Sequence, residues 1–152
     1  MNALTNTAQP SDLLTKLVES LDIDAFDDVL SGKLLLVNPK TKAPTSTFIE
    51  LASPEHPSRK RIDLTRTRKL RAEYSATGKM PSTDPLDDLE DELDYLVAAC
   101  LSWNVAIGGQ PIEFTPANVR SLLNDPTKQW VRAQVRAGIQ KTELFIADSV
   151  KS

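Results

Sequence analysis

The sequence predicts an α+β fold that is mainly α, with a small β-hairpin and a C-terminal helical bundle. Three observations support this prediction: apolar residues recur at helical spacing, two short apolar segments flank a turn-rich stretch, and a proline follows a capping residue at successive points of the second half. The chain has 152 residues, 40% hydrophobic and 26% charged, which is typical of an ordinary globular protein.

Residues 1–32 are predicted to be an N-terminal helical segment. Ser11 or Asp12 is a suitable N-cap, and the leucines that follow recur at helical spacing. A second, shorter helical turn is expected over residues 24–31, ended by Gly32, because glycine readily adopts the left-handed conformation that closes a helix.

Residues 33–54 are predicted to be a β-hairpin. Residues 34–37 form an apolar run, and residues 47–51 are rich in β-branched and aromatic side chains, which favour strands. The stretch between them, residues 38–44, is dense in turn-forming residues.

Residues 55–83 are predicted to be a basic helix followed by a linker. The helix is expected over residues 58–76 and the linker over residues 75–83, which contain Gly78 and Pro81. The apolar stripe of this helix is thin and its basic face is wide, so the helix is expected on the surface. Its large apolar residues are Ile62, Leu64, Leu70 and Tyr74.

Residues 84–152 are predicted to be a C-terminal helical domain. Helices are expected to begin at Asp84-Pro85, at Thr115-Pro116 and at Asp125-Pro126, the last of them reaching about Ala147. The stripe on the first of these helices is expected to form the centre of the core. It comprises Leu86, Leu89, Leu93, Leu96, Val97, Cys100 and Leu101.

The composition argues against an enzyme. With one cysteine, Cys100, and one histidine, His56, the chain can form neither an intramolecular disulfide nor the usual clusters of zinc or haem ligands. The acidic block of residues 84–94 lacks the spacing of a calcium loop, and no glycine-rich phosphate loop is present. We therefore expect no catalytic, cofactor-binding or metal-binding residue, and no cofactor.

No membrane-spanning segment is expected either. The longest stretch without charge, residues 95–112, is interrupted by glycines and a proline, and the N-terminus lacks the pattern of a secretory signal.

Charge is distributed unevenly, although the net charge is only −3. Residues 55–79 carry eight basic and three acidic side chains, whereas residues 84–94 carry seven acids and no base. Such blocks often form only a solvated face, and the basic one is also suited to an acidic protein partner. Aromatic side chains that could stack on bases are scarce and the net charge is negative, and both observations argue against nucleic acid as a partner. The candidate partner-binding residues are Arg59, Arg61, Arg66, Arg68, Lys69 and Arg71.

Two further patterns lie in the second half. Trp103 and Trp130 stand at element boundaries, where they either close the core or serve as contact points for a partner. Lys128, Arg132 and Arg136 recur every four residues and are expected to form an exposed basic line on the last helix.

Two stretches together resemble the phage tail assembly chaperones. Residues 36–41 and 48–54, followed by the arginine-rich helix, resemble the hairpin and charged helix of their N-terminal part. Residues 96–103, 108–119 and 122–123 with Trp130 are similar to their C-terminal half, in which a helix ends at a tryptophan and a glycine-containing turn leads to a new helix start.

This resemblance implies a non-enzymatic role in the host cytoplasm. Such a chaperone binds the tape measure protein, assists recruitment of tail tube subunits, and is generally absent from the finished particle. No set of binding residues carries over from the family, and self-association is left open. The alternatives are a minor structural component of the tail or head-tail connector, retained in the virion, and a DNA-binding accessory factor.

Overall fold

The computed structural model describes residues 20–81 and 84–147. Within them lie four α-helices and small antiparallel sheets, and this confirms the α+β prediction. The chain divides into two compact units, of which the larger is residues 28–146 and the smaller is residues 1–27 with 147–152. The helix expected to start at Ser11 or Asp12 lies almost entirely outside the described residues.

The described part of the smaller unit contains a 3-10 turn at Ile23–Ala25. Asp22 caps the turn, since its side chain accepts a hydrogen bond from the backbone N–H of Asp24 at 3.1 Å. The prediction of a helical turn over residues 24–31 is wrong in its extent, because the turn ends at Ala25, residues 26–30 are not helical, and a strand begins at Ser31.

The hairpin predicted within residues 33–54 is present. Strands β1 (Ser31–Val37) and β2 (Pro44–Ala52) pair antiparallel, with Leu34 opposite Ile49. The tip is stabilised by Asn38, whose Oδ1 accepts hydrogen bonds from two backbone N–H groups of the turn.

A third strand, β3 (Cys100–Trp103), pairs antiparallel with the other side of β2, which gives the order β1-β2-β3. A separate two-stranded ribbon follows, formed by β4 (Ala106–Ile107) and β5 (Gln110–Pro111).

The helices are α1 (Pro57–Thr77), α2 (Pro85–Ala99), α3 (Pro116–Asn124) and α4 (Gln129–Gly138). Their starts follow local chemistry. Asp84 and Thr115 cap α2 and α3 as expected, each accepting a backbone N–H of the first turn, and a proline follows each cap.

Three of the predicted helix limits are wrong. Helix α2 ends at Ala99, and Cys100 and Leu101 continue as β3 because their backbone pairs with β2. Asp125-Pro126 opens a turn, not a helix: Asp125 Oδ1 accepts the Thr127 N–H at 2.8 Å, and α4 begins only at Gln129. Helix α4 also ends at Gly138, well before Ala147, and is followed by a 3-10 turn at Thr142–Phe145.

Gly32 has a packing role in β1 in place of the predicted role at a helix end. A Cβ at this position would lie 2.2 Å from the backbone oxygen of Leu144, so only glycine lets the 3-10 turn approach the strand this closely. Gly138 allows a similarly close approach between the end of α4 and the hairpin, because a Cβ there would come within 2.9 Å of the side chains of Leu34 and Leu51.

The hairpin and the C-terminal helices share one core. Side chains from β1 and β2 pack with side chains from α2, α3 and α4, and burial of this apolar surface supplies the main stabilising free energy. The largest fully buried side chains are Ile49, Leu51, Leu93, Leu96, Val119, Leu123 and Val135.

We predict that Leu93→Ala lowers the free energy of unfolding by about 2–5 kcal/mol, because Leu93 is only 2% exposed and its removal leaves a cavity. Leu86→Ala is the matched control: Leu86 lies on the same stripe of the same helix but is 71% exposed. Urea unfolding of both variants measures the difference. Equal midpoints for the two would mean that α2 does not pack as described.

Candidate interaction surface

Helices α1 and α2 extend beyond the packed core at their connected ends. From Thr67 to Met80 every residue except Glu73 is exposed, and so is every residue from Asp84 to Asp91. We call residues 67–80 and 84–91 the projecting segment. The base of each helix is held by the rest of the protein, since Arg59 near the start of α1 and Leu93 and Leu96 in α2 are buried.

One side of α1 is a continuous basic surface. Arg61, Leu64, Arg68 and Arg71 recur at spacings of three and four residues, so they share one face of the helix, and all four are exposed. None of the ion pairs found among the described residues involves these arginines. We call these four residues the outer basic face, and it presents to solvent three cations that form no ion pair with a carboxylate of residues 20–81 and 84–147.

The opposite side of α1 lines a groove of about 930 Å³ between α1 and α2. Arg66, Lys69 and Leu70 line it from α1, and acidic residues such as Asp87 and Asp91 line it from α2. The two walls are joined at Arg66, which donates a hydrogen bond to the backbone oxygen of Asp91 and lies 5.0 Å from the centre of the Tyr95 ring.

Arg59 has a different position from the other candidate partner-binding residues. It is only 6% exposed, and its Nη1 donates hydrogen bonds to the backbone oxygens of Ala52 at 2.9 Å and Ile139 at 3.1 Å. Its Nε donates to the Tyr95 hydroxyl at 2.8 Å. The prediction that Arg59 lies on an accessible binding surface is therefore corrected, because the side chain is used inside the fold.

The six candidate residues thus divide into three groups. Arg59 is buried, Arg66 and Lys69 line the groove, and the remaining arginines belong to the outer basic face. The sequence alone could have separated these groups. A helical period of 3.6 residues places Arg59, Arg66 and Leu70 on one side of α1 and Arg68 on the other.

Part of the acidic block forms internal ion pairs in place of a fully solvated face. Glu92 accepts hydrogen bonds from Arg136 at 2.6 Å and from Arg132 at 3.0 Å, which fastens α2 to α4. Arg120 of α3 pairs with Asp94 at 2.6 Å and with Glu90 at 3.3 Å. Hydrogen bonds from Arg136 and, to a smaller extent, Arg132 lower the pKa of Glu92 below its ordinary value.

The exposed basic line expected on the last helix is also corrected. Arg132 is buried, and besides Glu92 it reaches the backbone oxygen of Leu89 at 2.9 Å. Long cationic side chains of α4 therefore bind the acidic helix within the same molecule, and they do not form an exposed row.

The two tryptophans have different surroundings. Trp103 is half-buried, donates its Nε1–H to the Ile112 oxygen at 2.7 Å, and packs edge-on against Phe114 with ring centres 5.4 Å apart. Trp130 is exposed and borders an apolar notch of about 240 Å³ beside the hairpin tip. Trp103 thus closes part of the core.

The single cysteine and the single histidine have structural roles. Burial raises the pKa of the Cys100 thiol to about 12, which disfavours the nucleophilic thiolate. His56 caps α1, since its Nδ1 accepts the Ser58 N–H at 3.1 Å. Across residues 20–81 and 84–147 we find no cluster of three or more side chains placed to hold a metal ion. No helix in these ranges is long and apolar enough to cross a bilayer.

No family model, curated protein or solved structure matches the chain. The geometry described above is therefore the basis on which its interaction surfaces are assigned.

We predict that Arg59→Met lowers the free energy of unfolding by roughly 2 kcal/mol or more, because the oxygens of Ala52 and Ile139 lose a donor in a buried place. Arg61→Met, two residues away on the exposed side, serves as the control. Urea titration followed by circular dichroism measures both. Stability equal to the parent in Arg59→Met would contradict the structural role of this side chain.

We predict that the Glu92 ion pairs make stability depend on pH. Because the pKa of Glu92 is lower in the folded chain than its ordinary 4.5, the stabilisation is complete above that value and is lost as the pH falls through the folded-state pKa. Glu92→Gln is expected to lower the melting temperature at pH 7 and to lower it less at pH 3.

The control for this measurement is Glu113→Gln, at an exposed glutamate outside the ion pairs of the described residues. Thermal melts of the three proteins at both pH values separate the effects. If Glu92→Gln and Glu113→Gln follow the same pH profile, the Glu92 pairs contribute nothing measurable.

Proposed function

We propose that this protein is a non-enzymatic phage tail assembly chaperone that binds the tape measure protein and assists recruitment of tail tube subunits in the host cytoplasm. The observation that carries the proposal is the outer basic face, three unneutralised arginines on one side of a helix that extends beyond the packed core. This surface is available to a protein partner without any rearrangement of the core.

A row of cations on a long helix suits an elongated partner with acidic side chains. Each exposed charge pair contributes little by itself, about 1 kcal/mol or less, so one copy binds weakly and reversibly. Many copies along one extended partner gain strength by their combined attachment, and they can be displaced one at a time as assembly proceeds.

In this proposal the remaining elements hold α1 in position. We infer that α2, α3 and α4 act as the C-terminal helical bundle expected from the sequence, with Glu92 fastening α2 to α4. The resemblance of residues 36–41 and 108–119 to the tail assembly chaperones agrees with this arrangement of a hairpin, a charged helix and a helical C-terminal half.

We predict that replacing Arg61, Arg68 and Arg71 by Ser weakens binding to purified tape measure protein by about tenfold or more, and that the loss shrinks at high salt. The control replaces Lys40, Lys42 and Lys141 by Ser, which removes the same charge from exposed sites outside α1. Calorimetry or interferometry measures the affinities, and thermal melts verify that both variants are folded.

Binding that is equal in the two triple variants would contradict the proposed surface. The same preparations distinguish the alternatives. Stoichiometric presence of the chain in purified phage particles would instead make it a structural component of the tail or connector. Tight binding to duplex DNA that is lost in the arginine variant would make it a DNA-binding accessory factor.

A further inference from the structure

The charges of α1 are sorted by the side of the helix on which they lie. Its two acids, Asp63 and Glu73, both line the groove. The helical period places neither of them on the half of α1 that is centred on Arg68, where every other residue is basic or uncharged. The outer basic face therefore carries charge of one sign only, and its own helix supplies no carboxylate to oppose it.

The members of the outer basic face follow one another at spacings of three, four and three residues. This alternation averages 3.5 residues, which is the period of a helix that packs lengthwise against a second helix. At 1.5 Å per residue, the row from Arg61 to Arg71 runs about 15 Å along the axis of α1. It is thus long enough to meet about three turns of a neighbouring helix.

The row also contains an apolar contact point. Leu64 lies between Arg61 and Arg68 in the row and is 48% exposed. The methylene stems of the arginines add apolar surface on both sides of it, while their charged heads remain in water. A partner that covers this row would remove apolar area from water and meet three cations at the same time.

We propose that the outer basic face is the docking surface for an acidic α-helix of the partner, packed lengthwise along α1. Carboxylates spaced by three and four residues on that helix meet Arg61, Arg68 and Arg71, and an apolar residue among them covers Leu64. The inference rests on the function proposed above, since it states the form of the segment that the partner presents.

The sign of the charge selects an acidic partner, and the spacing selects a helical one. Arg61 and Arg68 lie about 10.5 Å apart along the axis of α1, and Arg68 and Arg71 about 4.5 Å apart. Side chains on one face of a helix recur at these same intervals, after seven and after three residues. Side chains on one face of an extended chain recur about every 6.6 Å, which matches neither interval.

The test compares two synthetic peptides of about 20 residues, a length at which a helix can form. Both consist of the same glutamates, leucines and alanines. In the first peptide the glutamates recur at alternating spacings of three and four around one leucine per heptad, and in the second they stand at every second position. The parent chain is expected to bind the first peptide about tenfold more tightly, and the helical circular dichroism of that peptide is expected to increase on binding.

An exchange of two neighbouring residues tests the register from the side of this chain. Thr67→Arg combined with Arg68→Thr keeps the composition and the net charge, but it moves one cation about 100° around α1. This variant is expected to bind the first peptide about fivefold more weakly. The control is the same kind of exchange outside α1, Lys141→Thr combined with Thr142→Lys, at two exposed positions.

Calorimetry measures the affinities, and thermal melts verify that both variants are folded. Equal affinity of the parent for the two peptides would overturn the inference, and so would equal affinity of the two exchange variants for the first peptide. A parent that binds tape measure protein but does not distinguish the peptides would overturn the helical form of the partner and leave the proposed function standing. A parent that prefers the first peptide but does not bind tape measure protein would contradict the proposed function alone.

Discussion

The buried guanidinium of Arg59 is the interaction on which the arrangement of the other elements depends. It joins the end of β2 at Ala52, the end of α4 at Ile139 and the hydroxyl of Tyr95 on α2. Carbonyl oxygens at the ends of elements need donors, and one planar cation with several N–H groups supplies them to both backbone positions. Because Arg59 lies in the first turn of α1, the same contacts fix where that helix leaves the core and hence the direction in which the outer basic face points.

The acidic block of α2 has two roles that its composition does not distinguish. Glu92 and Asp94 face cations of α4 and α3 and hold α2 in place, whereas Asp87 and Asp91 lie further along the projecting segment and face the groove. The difference arises from position along α2. Arginines of α4 reach Glu92 and an arginine of α3 reaches Asp94, whereas none of the ion pairs of the described residues involves Asp87 or Asp91. One run of like charge therefore serves both to fasten the helix and to leave a charged wall exposed.

Local chemistry made much of the fold predictable. The caps at Asp84 and Thr115 and the turn-rich residues 38–44 specify helix starts and a hairpin through contacts between near neighbours. The strand β3 was missed because Cys100 and Leu101 continue the spacing of the α2 leucines, and only pairing with β2, some fifty residues away in the chain, makes them extended. Arg59 was placed on the surface for a related reason: its acceptors, Ala52 and Ile139, come together only in the folded chain. Arg61, Arg68 and Arg71 could be identified as an exposed row because the helical period alone determines their shared side.

The exposed ends of α1 and α2 also bear on how such a chain can change in length. Within α1 and α2, only the first turns of α1 and the last turns of α2 contribute buried side chains. The packing of the core therefore does not depend on the length of the two helices beyond these turns. Inserting or deleting matched turns on both sides of residues 78–84 would lengthen or shorten the reach by about 1.5 Å per residue in each helix while every core contact stayed in place. The length of the projecting segment can therefore change in evolution while the core of the protein keeps its fold.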